Sequence, residues 1–219
     1  MSSQLNPFST RFVRPGAIEY LFPHDQSAVD LVQRLRASDW RGQIVGPHGS
    51  GKSTLLAALI EPLEQAGRRS WRIALHDGQR ALPLGALAEA RNAGANLLIV
   101  DGYEQLRRIS RLRLRWQLWW RGWGAIVTAH RDVGYPTLYR TSASVELTER
   151  IVARLVPSGD PAIDRHVIDH GAIAASFSAA SGDVRETLFA LYDHFEHEQR
   201  AQSKTEPGVA SSGSTRREL

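Results

Sequence analysis

The 219-residue chain contains no cysteine. That absence removes disulfide staples, thiolate metal sites and cysteine nucleophiles from the candidate chemistries, and leaves the redox compartment open. No run of about eighteen apolar residues occurs, so no membrane-spanning helix is expected. The opening MSSQLNPFSTRFVRPG lacks the apolar core of a secretory signal. A cytoplasmic location is expected on these grounds. Lysine is nearly missing as well: Lys52 and Lys204 are the only lysines among 27 basic residues. The net charge of +4 therefore reflects a general preference for arginine, and it permits an acidic partner without requiring one. The same scarcity makes Lys52 conspicuous.

What is present is enough for a core, since 42% of the residues are apolar. Residues 1–24 hold Pro7, Pro15, Gly16 and Pro23 among aromatics and read as an extended arm lying on the domain. From Asp25 the positions Ala28, Val29, Leu31, Val32 and Leu35 follow helical spacing. QIVG then reads as a short buried strand, GPHGSG as a glycine-rich turn, and KSTLLAALIEPLEQAG as a helix closing at Gly67. SWRIALHDG is a second strand, and a weak helix covers residues 84–93. NLLIVDG is a nearly continuous apolar run ending in Asp101, the pattern of a strand buried on both faces. An arginine-rich helix over 103–121, the buried strand GAIVTAH and a final strand SVELT complete residues 25–147. Strands alternating with helices predict an α/β domain, a three-layer sandwich around a mostly parallel sheet.

Strand signals then stop. ERIVARLV, IDRHVIDHGAIAASFSAAS and GDVRETLFALYDHFEHE read as a helical lid over 148–197. Residues 198–219 are polar and rich in Gly, Ser and Pro, so a disordered tail is expected there.

Gly46-Pro47-His48-Gly49-Ser50-Gly51-Lys52-Ser53 matches G-x-x-x-x-G-K-[ST] between a strand and a helix, the context that the motif requires. The glycines let backbone N–H groups curl around phosphate oxygens, and the helix beginning through Thr54 adds its positive end. Lys52 is expected at the β- and γ-phosphates, and the Ser53 hydroxyl on a magnesium ion. His48 reads as a solvent-facing loop residue. Asp101, at the end of a buried strand, is expected beside the loop, where it can hold magnesium through water; a helix N-cap is its alternative role. Many ATPases of this kind place a glutamate next to that aspartate, but here the position is Gly102. Glu104, two residues on, is a candidate to polarise the attacking water or simply a first-turn acid facing the helix dipole.

The P-loop, the DG strand, the polar-ended GAIVTAH and SGDVRETLFALYDHF, in that order, resemble an AAA+ ATPase of the initiator and clamp-loader-like branch over roughly residues 25–197. The resemblance implies ATP and Mg²⁺ as cofactors. It implies Thr128 at the strand tip as a γ-phosphate sensor, with His130 its neighbouring candidate, and Arg185 as a second sensor reaching back from the lid. It also implies Arg140, before SVELT, as an arginine finger completing a neighbouring copy's site in a homo-oligomer.

The helix over 103–121 carries Arg107, Arg108, Arg111, Arg113, Arg115 and Arg121 beside Leu106, Ile109, Leu112, Trp116 and Trp119. Two readings compete: a grip on nucleic acid or on a partner protein's acidic face, and an amphipathic helix that buries its leucines and tryptophans against the sheet with arginines in solvent. The second is preferred, with Trp119, Trp120 and Trp123 as a cluster available to a partner. His166 and His170 have metal-binding spacing but no H-E-x-x-H context, and read as solvated. The expected function is an ATPase switch or motor, slow without its partner. A nucleotide-regulated binding module and a small-molecule phosphotransferase are the alternatives, and no LSGGQ-like stretch points to a transporter ATPase.

Overall fold

A computed structural model describes residues 19–23, 25–155 and 169–205, with side chains described up to residue 197. Five strands form one sheet in the order β2-β3-β4-β1-β5, and every pairing is parallel. They are β1 (Arg41–Val45), β2 (Ser70–Ala74), β3 (Leu97–Asp101), β4 (Gly124–Ala129) and β5 (Thr137–Arg140). Helices α1 (Ala28–Ala37), α2 (Lys52–Gln65), α3 (Ala86–Asn92) and α4 (Arg108–Arg121) connect or precede them. Helices α5 (Val145–Leu155), α6 (His170–Ala179) and α7 (Val184–Thr205) follow.

The three layers come directly from strand alternation. In β3, Leu97 and Ile99 enter one core with Leu31 and Leu35 of α1 and Leu55, Leu56 and Leu59 of α2. Leu98 and Val100 enter the other, with Ala90 of α3 and Leu114 and Leu118 of α4. Because β3 and β4 are central and covered twice, their side chains are almost wholly buried, which explains their unbroken apolar runs. The three last helices close over a smaller core of their own, with Val152, Ile173, Leu188 and Leu191 at its centre.

Several boundaries differ from the sequence expectations. SVELT is not a strand: Val145 opens α5. Ser144 explains why, because its hydroxyl accepts from the Leu147 N–H at 3.1 Å while its carbonyl accepts from the Thr148 hydroxyl at 2.9 Å. That local capping overrides the β propensity of Val145 and Thr148. The last strand is instead TLYR, an edge strand too short to show periodicity. Arg140 is thus the last residue of β5 and leads towards a helix. The arginine helix is interrupted: a 3₁₀ turn, Tyr103–Gln105, precedes α4. Helix α7 continues through Thr205, past the boundary expected at 197. The arm through residue 18, His166 and residues 206–219 lie outside the described residues. No helix among the described residues is long and apolar enough to cross a membrane.

Candidate nucleotide-binding site

Residues 46–54 run from the C-terminal end of β1 into the start of α2, on the edge of the sheet where parallel strands deliver their loops. Helix α2 begins at Lys52 without a side-chain cap, its N-cap Gly51 being left-handed. Its first N–H groups are therefore available to an anion. The loop is held from both sides. The Ser50 hydroxyl donates to Pro47 O at 2.8 Å and lies 2.6 Å from Thr141 Oγ1, tying the loop to the end of β5. Gly49, at φ +63°, has the Asp183 carboxylate so close that a Cβ there would sit 1.8 Å from Oδ1. Only glycine admits that approach. Asp183 also caps α7, accepting from the N–H groups of Arg185 at 2.8 Å and Glu186 at 3.1 Å.

Lys52 Nζ donates to Gly46 O at 2.7 Å and Pro47 O at 2.5 Å, which leaves one of its three N–H donors for a ligand. Burial draws its pKa below that of a free ammonium, against the opposing pull of Glu104, Asp101 and Asp183. Asp101 lies across from it on β3. The Ser53 hydroxyl donates to Asp101 Oδ2 at 2.9 Å, and the Thr128 hydroxyl to Oδ1 at 2.5 Å. Arg72, on β2, forms an ion pair with the same carboxylate. Burial alone would raise the Asp101 pKa, but these three hydrogen bonds and the Arg72 charge together hold it below the usual carboxylate range. The group is thus an anion throughout the neutral range, and its contribution to stability is lost only as pH falls through that depressed value.

Strand, glycine-rich loop, helix, and an aspartate at the end of a buried strand bonded to the first turn of that helix are now all in place. This is a P-loop NTPase fold.

No protein-family model matches the chain, and no curated protein matches it. Among solved structures it is similar to the replication initiator DnaA bound to AMPPCP and single-stranded DNA, at 15% identity and TM-score 0.49, covering 80% of this chain and 63% of that one. It is also similar to a Walker-type ATPase of Pyrococcus abyssi, at 12% identity and TM-score 0.42, covering 85% and 77% of the two chains. PCH-2 from C. elegans is a third, at 8% identity and TM-score 0.34, covering 79% and 67%. The chain spans 63% of the length of the DnaA structure. At these identities the likeness concerns fold alone.

One cleft of about 730 Å³ is lined by the P-loop, Asp101, Glu104, Thr128, His130 and the first residues of α7, Arg185 among them. That volume falls within the range of small-molecule sites. Glu104, on the 3₁₀ turn, contacts His130 Nε2 at 3.4 Å through Oε1, while its Oε2 is buried and has no hydrogen-bond partner. Burial lowers the His130 pKa; Glu104 opposes this and the Lys52 charge assists the lowering, which favours the neutral imidazole beside Glu104. His48 is exposed but packs against His130 with ring centroids 4.4 Å apart. The Thr128 hydroxyl is occupied on both sides, donating to Asp101 and accepting from the Gly102 N–H at 2.9 Å. Arg140 does not line the cleft. His170, at the start of α6, pairs with Glu149 of α5, and no group of three metal-binding side chains occurs among the described residues.

Arg72 and Tyr20 were not expected here. Arg72 had one sequence signal, a charge in the middle of a strand, which asks for an ionic partner. Tyr20, whose ring sits 3.4 Å from where a Cβ on Gly51 would be, had none.

The donor set fits a nucleotide with magnesium. Ser53 and Asp101 offer hard oxygen donors 2.9 Å apart, the uncapped helix start and Lys52 offer an anion site, and Glu104 lines the same cleft.

Proposed function

We propose that the chain binds ATP with magnesium and hydrolyses it slowly, using the helical lid as a nucleotide-dependent switch towards a macromolecular partner. The observation that carries this reading is the convergence of Lys52, Ser53, Asp101 and Arg185 on one cleft between the sheet and the start of α7. The N–H groups of residues 46–54 and the Lys52 ammonium would hold the phosphates, and Ser53 and Asp101 the metal. Bound magnesium would bridge phosphate oxygens and reduce the negative charge that repels a nucleophile.

Glu104, which lines the cleft beside His130, would orient the attacking water and take its proton on its carboxylate. A glutamate next to Asp101 is excluded by the backbone: Gly102 sits at φ +81°, and a Cβ there would lie 2.8 Å from Leu75 O. Thr128 acts as a positioning residue for Asp101 rather than on phosphate directly. Arg185 would sense phosphate from the lid, and Arg140, outside the cleft, is left for a neighbouring copy in a homo-oligomer.

Titration calorimetry with Mg-ATP tests the assignment. Lys52→Ala should weaken binding about 100-fold, because one ammonium compensating the β/γ charge is removed; unchanged affinity in a folded variant overturns it. A second reading, a binding module that retains ATP unhydrolysed, is supported by the Arg72–Asp101 ion pair, which already compensates the carboxylate. Intact ATP recovered after prolonged incubation, with and without candidate partners, would select it.

A further inference from the structure

Helix α4 turns two arginines inward and its aromatic residues outward. Arg111 donates from Nε to Leu106 O at 2.9 Å and from Nη2 to Glu104 O at 2.7 Å. Arg115 donates to Val133 O at 2.6 Å and stacks over Tyr135, 4.4 Å from its ring centre. The opposite face carries Ile109, Leu112, Trp116, Trp119 and Trp120, each between 61% and 70% exposed. Their three- and four-residue spacing makes them one continuous stripe about 20 Å long. Arg108, Arg113 and Arg121 flank it, all exposed and without an ion pair among the described residues. Helix α4 contains no acidic residue.

We propose that this face docks α4 flat on an anionic lipid bilayer. The two aliphatic chains and three indoles enter the boundary between headgroups and acyl chains, and the arginines engage headgroup phosphates. Indole is at home at that boundary, where its ring is apolar and its N–H stays near water. A helix with aromatic and aliphatic residues on one side and uncompensated cations beside them matches the interfacial class. Three features disfavour other occupants. A second copy placed face to face would oppose arginines to arginines. Stacked bases need accessible parallel ring faces, but Trp116 and Trp119 pack against Trp120 at 59° and 90°, and Ile109 and Leu112 offer no π face. The stripe is also a ridge, which a fluid bilayer can accommodate and a protein must meet with a preformed groove.

Vesicle flotation of the full chain tests the proposal, with phosphatidylcholine vesicles compared to vesicles containing about a third phosphatidylglycerol. The expected result is at least tenfold stronger partitioning to the anionic vesicles, with a blue shift of tryptophan emission. The Trp116→Ser/Trp119→Ser/Trp120→Ser variant should lose at least tenfold of it and lose the shift, with an unchanged thermal melt because these side chains touch no core. Each of Arg108→Gln, Arg113→Gln and Arg121→Gln should cost about fivefold at low salt, less at high salt. Equal partitioning to neutral and anionic vesicles overturns the proposal. So does partitioning unaffected by the tryptophan variant, preferential binding to a single-stranded oligonucleotide, or a solution dimer that the tryptophan variant dissolves.

Discussion

Helices α2 and α4 are both 14 residues long and pack on opposite faces of the same sheet, yet they are held there by different forces. Helix α2 inserts Leu55, Leu56, Leu59 and Leu63, all fully buried. Helix α4 inserts only Leu114 and Leu118, and anchors its remaining inner surface through Arg111 and Arg115 on backbone carbonyls. An arginine can take a place in a core boundary when its stem is covered and its guanidinium finds carbonyl acceptors, two for Arg111 and one for Arg115, whose Nε is buried without a partner. Once arginines occupy the inner face, the helix has no room there for its tryptophans. Apolar residues are thus a guide to the buried face only when no polar group finds a better inward partner.

Substitutions can test this contrast. Leu59→Ala in α2 should have the largest effect, about 2–5 kcal/mol of stability, because a fully buried side chain leaves a cavity under β1 and β3; urea denaturation measures it. Arg115→Met should be intermediate, about 1–2 kcal/mol, from losing the hydrogen bond to Val133 O and leaving that carbonyl unpaired. A neutral or stabilising Arg115→Met would show that α4 is held by its two leucines alone and erase the distinction between the helices. Trp119→Ser should be smallest, within about 0.5 kcal/mol, as for other exposed positions. A loss comparable to that of Leu59→Ala would mean that the stripe is covered in the isolated protein.

The same contrast marks the limit of what could be read from the residues alone. The phosphate loop, β1, β3, β4 and Asp101 were legible because each is specified locally: a glycine spacing, an apolar run covered on both faces, an acid at a strand end. The orientation of α4 was not, since both faces of its helical wheel carry apolar and basic residues and only the carbonyls of Glu104, Leu106 and Val133 decide between them. SVELT misled for a related reason, its β-branched residues being outweighed by Ser144. Arg72 reaches Asp101, and Asp183 reaches Gly49, across distances in sequence that no spacing encodes. Gly102 could be seen to depart from a familiar pattern, but the Leu75 carbonyl that forbids a side chain there could not.

The position of β1 in the sheet has a consequence for how the chain comes to be folded. Although first in sequence, β1 pairs neither with β2 nor with β3; its partners are β4, from Arg41↔Ala125 to Val45↔Ala129, and β5. Closing so long a loop before any contact rewards it is entropically slow. Before β4 is synthesised, β2 and β3 can pair, but the strand that carries the phosphate loop has no strand partner and only helix packing to hold it. It must wait for GAIVTA. Nascent chains shorter than that point would lack a formed phosphate loop and expose the apolar face of α2, making this the interval in which the chain is most exposed to aggregation and most dependent on chaperones.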